Sequence, residues 1–238
     1  MKRMLVVMLT YMMVFASAAW AHDAMYFYQR GVESNLANRK ISYFTKAIEL
    51  NSNLVEAYEK RSLLYYFQRR YDQAIYDYSK VIELKPNDAV SYRMRGAAYL
   101  RKEELKPAIE DLTRAIELDP KMAQAYGDRA EAYRRAGMAT DAVRDATKAI
   151  DLRGDDRTTA MAYATRAKAH KALGHEEQSD ADLDKSFQLD PRYVLIRYLA
   201  GSTNLEGVRR MGLMGIIAIC FVGIFRLSLR APRKGKHS

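Results

Sequence analysis

Four arginines and four aspartates recur in step along this chain. Arg61, Arg95, Arg129 and Arg166 are separated by 34, 34 and 37 residues, and Asp77, Asp111, Asp145 and Asp182 keep the same intervals. A guanidinium is a rigid fork that meets a carboxylate through two parallel hydrogen bonds. Two matched series of this kind predict a structural ladder of Arg–carboxylate pairs, formed within one segment or between neighbours. A row of arginines by itself would instead bind an acidic ligand; the matched acid series neutralises the row and favours the ladder. Catalytic chemistry has less to work with. Of the four histidines only His170 and His175 lie close, five residues apart with Gly174 between them, a spacing that does not share one helical face. HExxH, CxxC and glycine-rich phosphate loops are absent. Acid pairs such as Glu103-Glu104, Asp155-Asp156 and Glu176-Glu177 fall in or near turns, where solvated charges and helix N-termini favour them. No nucleophile, base and orienting group come together, so neither catalysis nor a bound metal or cofactor is expected.

The elements that must position these charges are helices. Tyr92, Gly96 and Tyr99 fall at i, i+4 and i+7, one face of a helix, and Ala108, Leu112 and Ala115 repeat the pattern in a second. Pro120 then ends the second helix, because proline lacks an amide proton and clashes with the preceding turn. Two short helices cannot bury their apolar faces alone, and the chain supplies copies. Tyr58, Tyr92 and Tyr126 align at a period of 34 with Tyr163 following after 37; Tyr65, Tyr99 and Tyr133 align with His170 in the fourth slot; Ala74, Ala108 and Ala142 align with Ser179. Pro86, Pro120 and Pro191 close three copies and Gly154 the other. A fixed period of this length marks stacked repeats.

A 34-residue helix–turn–helix unit with this order of aromatic, small residue, Tyr, Ala, large apolar residue, Ala and Pro resembles the tetratricopeptide repeat family. The resemblance implies an all-α solenoid, and covers Val55 to Tyr193 well and Ala24 to Leu54 weakly. It divides the chain into a degenerate N-terminal repeat at 22–54, repeats at 55–88, 89–122, 123–156 and 160–193, and a capping helix with linker at 194–207. The first unit is expected to have a turn about three residues short, and the three extra residues Arg157 to Thr159 are expected to lie in an inter-helix turn.

Stacked helix pairs make a concave surface lined by first helices. With the buried face at positions 4, 8 and 11 of each unit, positions 2, 5, 9 and 12 turn toward that groove. They include Glu59 and Tyr66, Arg93 and Leu100, Glu131 and Arg134, and Lys168 and Lys171. The groove would run from acidic and aromatic, through apolar, to basic, which suits an extended peptide or amphipathic helix with an acidic end near Arg134, Lys168 and Lys171. Family members that grip an acidic chaperone tail carry Lys at position 5 and Asn at position 9. Here those slots hold Glu59 and Leu63, then Arg93 and Ala97, so that activity is not implied.

The ends of the chain read differently. Lys2 and Arg3, the apolar run Met4 to Phe15 and the small residues of Ala19-Trp20-Ala21 make 1–21 a secretory signal peptide. Met211 to Phe225 carries no charge, and extension to Leu229 with Arg226 snorkelling gives a span near 28 Å, roughly a bilayer core. A transmembrane helix is expected at 208–229 and a basic cytoplasmic tail at 230–238. Two arginines precede the span and five basic residues lie at or beyond its far end, which places the C-terminus in the cytoplasm and the repeats outside. The net charge of +10 belongs to these flanks: residues 22–207 hold 30 basic and 29 acidic residues. A nucleic-acid partner is therefore not expected. The reading is a single-pass protein of a bacterial inner membrane that presents a protein- or peptide-binding repeat scaffold to the periplasm, in a cell-envelope or secretion assembly. The alternative is a glycan or peptidoglycan receptor whose tyrosines stack sugars.

Overall fold

The computed structural model describes residues 23–190. They form ten helices in five antiparallel pairs: α1 (residues 23–33) with α2 (Ala37–Leu50), α3 (Val55–Phe67) with α4 (Tyr71–Leu84), α5 (Ala89–Arg101) with α6 (Leu105–Leu118), α7 (Ala123–Arg135) with α8 (Ala139–Asp151), and α9 (Asp156–Ala172) with α10 (Glu176–Leu189). Each second helix packs on its own first helix and on the first helix of the next unit. First helices of neighbouring units also touch, α5 on α7 and α7 on α9, which sets them on the inner side of the stack. The architecture is an all-α solenoid of the tetratricopeptide type. The expected signal peptide, capping segment, transmembrane helix and tail lie outside the described residues. Among the described residues no helix is long and apolar enough to cross a membrane.

Small side chains set the helix spacing. Ala74, Ala108 and Ala142 are fully buried, as are Ala57, Ala98 and Ala132. Gly96 allows α5 to approach α6: a Cβ there would lie 2.9 Å from Leu112 Cγ and 3.2 Å from the Ala108 carbonyl oxygen. Larger residues fill the remaining gaps. Leu112 and Val81 are fully buried, and Phe44 nearly so, the last against Tyr28.

The turns within units all have three residues. The last four of them hold their middle residue in the left-handed region: Arg69 (φ 61°), Glu103 (φ 64°), Gly137 (φ 77°) and Gly174 (φ 78°). The amide of the next residue then donates back into the first helix, Arg70 to the Tyr65 carbonyl, Glu104 to Tyr99, Met138 to Tyr133 and His175 to His170. Two expectations change here. The turn of the first unit, residues 34–36, is as long as those at 68–70 and 102–104, so that unit is in register and not shortened. The extra residues Arg157 to Thr159 do not loop out; they lie in the first turn of α9, which is lengthened to 17 residues. Asp155 caps that turn, its carboxylate accepting from the Thr158 amide and hydroxyl.

Candidate functional site

Each ladder arginine sits mid-way along a first helix, where its fork faces the second helix of its own unit. Arg61 donates to both carboxylate oxygens of Asp77 at 2.8 Å. Arg95 meets Asp111 at 2.7 and 2.8 Å, Arg129 meets Asp145 at 2.6 and 3.2 Å, and Arg166 meets Asp182 at 2.7 Å through both nitrogens. The four aspartates are buried. Burial pushes the Asp77 carboxyl up, and the Arg61 guanidinium opposes that. The remaining Nη1 of each arginine reaches back to the previous unit and donates to a hydroxyl: Thr45, Ser79, Thr113 and Thr147 in turn, at 2.9 to 3.0 Å. Each fork thus closes its own helix pair and ties it to the unit before. The hydroxyl series has the same period and was readable from the sequence at 16 residues before each arginine, or 19 for Arg166; the mixture of Thr and Ser conceals it.

Tyrosines cover the guanidinium faces. Arg61 lies over Tyr58 and Tyr65 at 5.7 and 5.8 Å, Arg129 over Tyr126 and Tyr133 at 5.8 and 5.7 Å, Arg95 over Tyr92 at 5.7 Å and Arg166 over Tyr163 at 5.3 Å. These six tyrosines are committed to the ladder, while Tyr26 and Tyr76 stay exposed. The first unit carries Phe27 and Tyr43 in the Arg and Asp slots, rings 6.4 Å apart, with Arg30 over Tyr43.

The groove residues meet one another across neighbouring first helices. Arg93 of α5 pairs with Asp128 of α7 at 3.0 Å. Arg101 Nε donates to the Tyr66 hydroxyl at 3.3 Å, and Arg135 Nη1 to the Leu100 carbonyl at 3.4 Å. Glu59 pairs with Lys85 at 3.1 Å. Glu131 accepts from Arg134 at 2.7 and 2.8 Å and from Arg135 at 2.8 Å. Burial acts to raise the Glu131 carboxyl, but the two guanidiniums prevail and hold it at about 2. Lys168 and Lys171 are exposed. One groove assignment needs correction. Leu100 is 6% exposed and packs with Ala108, Leu112 and Ala132, because the close α5–α7 contact closes over it; it offers the groove no side chain. Arg134 is bound to Glu131 through both nitrogens and stands with Lys168 and Lys171 at the basic end. Asp128, Arg101 and Arg135 were missed, since unpaired wheel positions do not show which charges meet across helices. Among the described residues no group of three or more His, Cys, Asp or Glu is placed to hold a metal ion.

Comparison with known proteins agrees with this geometry. A family model described as TPR repeat matches residues 63–103, and one described as Tetratricopeptide repeat matches residues 89–122 and 160–193. No curated protein sequence matches the chain. The chain is similar to the solved structure of MamA from Desulfovibrio magneticus, with 18% identity and a TM-score of 0.64 over 73% of this chain and 96% of that one. It is similar to YrrB, described as a TPR protein with an unusual peptide-binding site, with 21% identity and a TM-score of 0.57 over 69% of this chain and 83% of that one. A thermophilic TPR protein of Thermus thermophilus matches with 16% identity and a TM-score of 0.58 over 74% of this chain and 97% of that one. At these identities the likenesses speak to the fold.

Proposed function

We propose that this chain, a tetratricopeptide repeat protein, is a non-catalytic scaffold that is anchored in a membrane and holds a protein partner in its groove outside the cytoplasm. One observation carries the reading. The arginines and aspartates that repeat are spent on holding the stack together, so a partner meets the side chains that change from unit to unit along the first helices. Those run from Glu59 and Tyr66 to Lys168 and Lys171. An extended or helical segment with its acidic end against the two lysines fits that order of charge. YrrB, described as having a peptide-binding site, makes a peptide the natural ligand class to test first.

The setting rests on the sequence of the two ends: the signal-like residues 1–21 and the uncharged stretch with its basic far flank. On this reading the protein is a single-pass component of a bacterial inner membrane, with the repeats in the periplasm and the tail in the cytoplasm, serving an envelope or secretion assembly. The near-neutral body of the chain argues for a protein partner over a nucleic acid. A photo-crosslinker placed at Lys171 in intact cells tests this. The proposal expects an adduct that protease removes. An adduct that survives protease and yields to glycan-degrading enzymes would replace the scaffold reading with that of a polysaccharide receptor.

A further inference from the structure

The last described unit departs from the others at one partly buried slot. Where Tyr65, Tyr99 and Tyr133 stand in the preceding units, α9 carries His170 in its final turn. His175, which precedes α10, folds back over it, held there by its own amide donating to the His170 carbonyl at 2.9 Å. The two Nδ1 atoms face each other at 3.4 Å. In the metal-free pair that distance admits a long, weak hydrogen bond between the two rings. It equals the separation of two ligands on one tetrahedral metal, because two nitrogens each about 2.0–2.1 Å from zinc lie about 3.4 Å apart at the tetrahedral angle. His170 Nε2 points toward Asp182, 4.0 Å away. A carboxylate on that side favours the tautomer with its proton on Nε2 and leaves the Nδ1 lone pair toward His175. The charge of Arg166 beside them is balanced by Asp182, to which it is bound through both nitrogens.

We propose that His170 and His175 form a two-histidine site for a divalent cation of the zinc, nickel or copper class, which clamps the α9–α10 turn. Both rings bind through Nδ1, and solvent completes the coordination sphere on the exposed side of His175. In the metal-free pair any proton held on Nδ1 moves to the Nε2 of the same ring on binding, so neutral rings lose no proton. The site belongs to this unit alone, since the other units have no histidine at either position.

Titration of the purified full chain with zinc, nickel or copper salts tests the site. Calorimetry should show one equivalent bound, and saturating metal should raise the melting temperature by about 5 °C, reversed by a chelator. His170→Tyr restores the residue that three other units carry and should keep the helical spectrum while losing both effects. His175→Ala should lose them as well. An unaltered melting temperature and no bound metal in the natural chain would overturn the proposal. So would a one-equivalent response that persists in the His170→Tyr, His175→Ala double variant, since His22, His237 or Cys220 would then be its source.

Discussion

At the scale of single residues, the ladder makes one kind of contact do two tasks. A bidentate pair alone would hold a helix hairpin together. The third hydrogen bond, from Nη1 to a hydroxyl one unit back, makes each hairpin depend on its predecessor. Arg95→Ala leaves Asp111 buried without its counter-charge and should cost about 3 kcal/mol, read as a fall in the denaturation midpoint. Arg95→Lys should recover little, because an ammonium cannot fork. Thr113→Val deletes only the inter-unit bond to Arg129 and should cost about 1 kcal/mol. Glu131 gives a separate signal. Its carboxyl is at about 2 in the folded protein against the ordinary 4.5, so its contribution to stability is complete above pH about 4.5 and lost as the pH falls toward 2. Glu131→Gln should flatten the acid limb of the stability profile over that window and leave neutral pH little changed in slope. The pairing of Arg with Asp was legible because both types repeat in each of the last four units. The hydroxyl series is as regular but harder to pick out, because one Ser among three Thr looks like ordinary polar variation.

At the scale of elements, backbone approach explains which glycines matter. Gly96→Ala would drive a methyl into Leu112 and the Ala108 carbonyl and should cost about 1–3 kcal/mol. Gly127 has nothing within 4 Å of the same methyl, and Gly127→Ala should stabilise α7 by about 1 kcal/mol. Thermal melts of the two variants should move in opposite directions. The helices themselves could be read from period and proline punctuation. What could not be read were events that depend on neighbouring helices. Leu100 sits at a wheel position that turns toward the groove, yet α7 closes over it. Arg157 to Thr159 looked like a loop insertion, but Asp155 supplies a cap one turn earlier and the helix accepts the added residues.

At the scale of the whole molecule, the stack has a division of labour. Its repeating residues face each other between helices and its varying residues line the first helices. The consequence is that ladder changes should act through stability and groove changes through partner binding. The most direct measurement compares two charge-reversed forms of the full chain, each first shown to have unchanged helicity and melting temperature. One carries Lys168→Glu and Lys171→Glu in the groove. The other carries Lys106→Glu and Lys148→Glu on the exposed faces of the second helices α6 and α8. Recovery of the partner crosslinked in intact cells should fall at least about tenfold for the groove form and stay at the natural level for the other. Equal recovery from both forms, or loss confined to the second-helix form, would contradict the account.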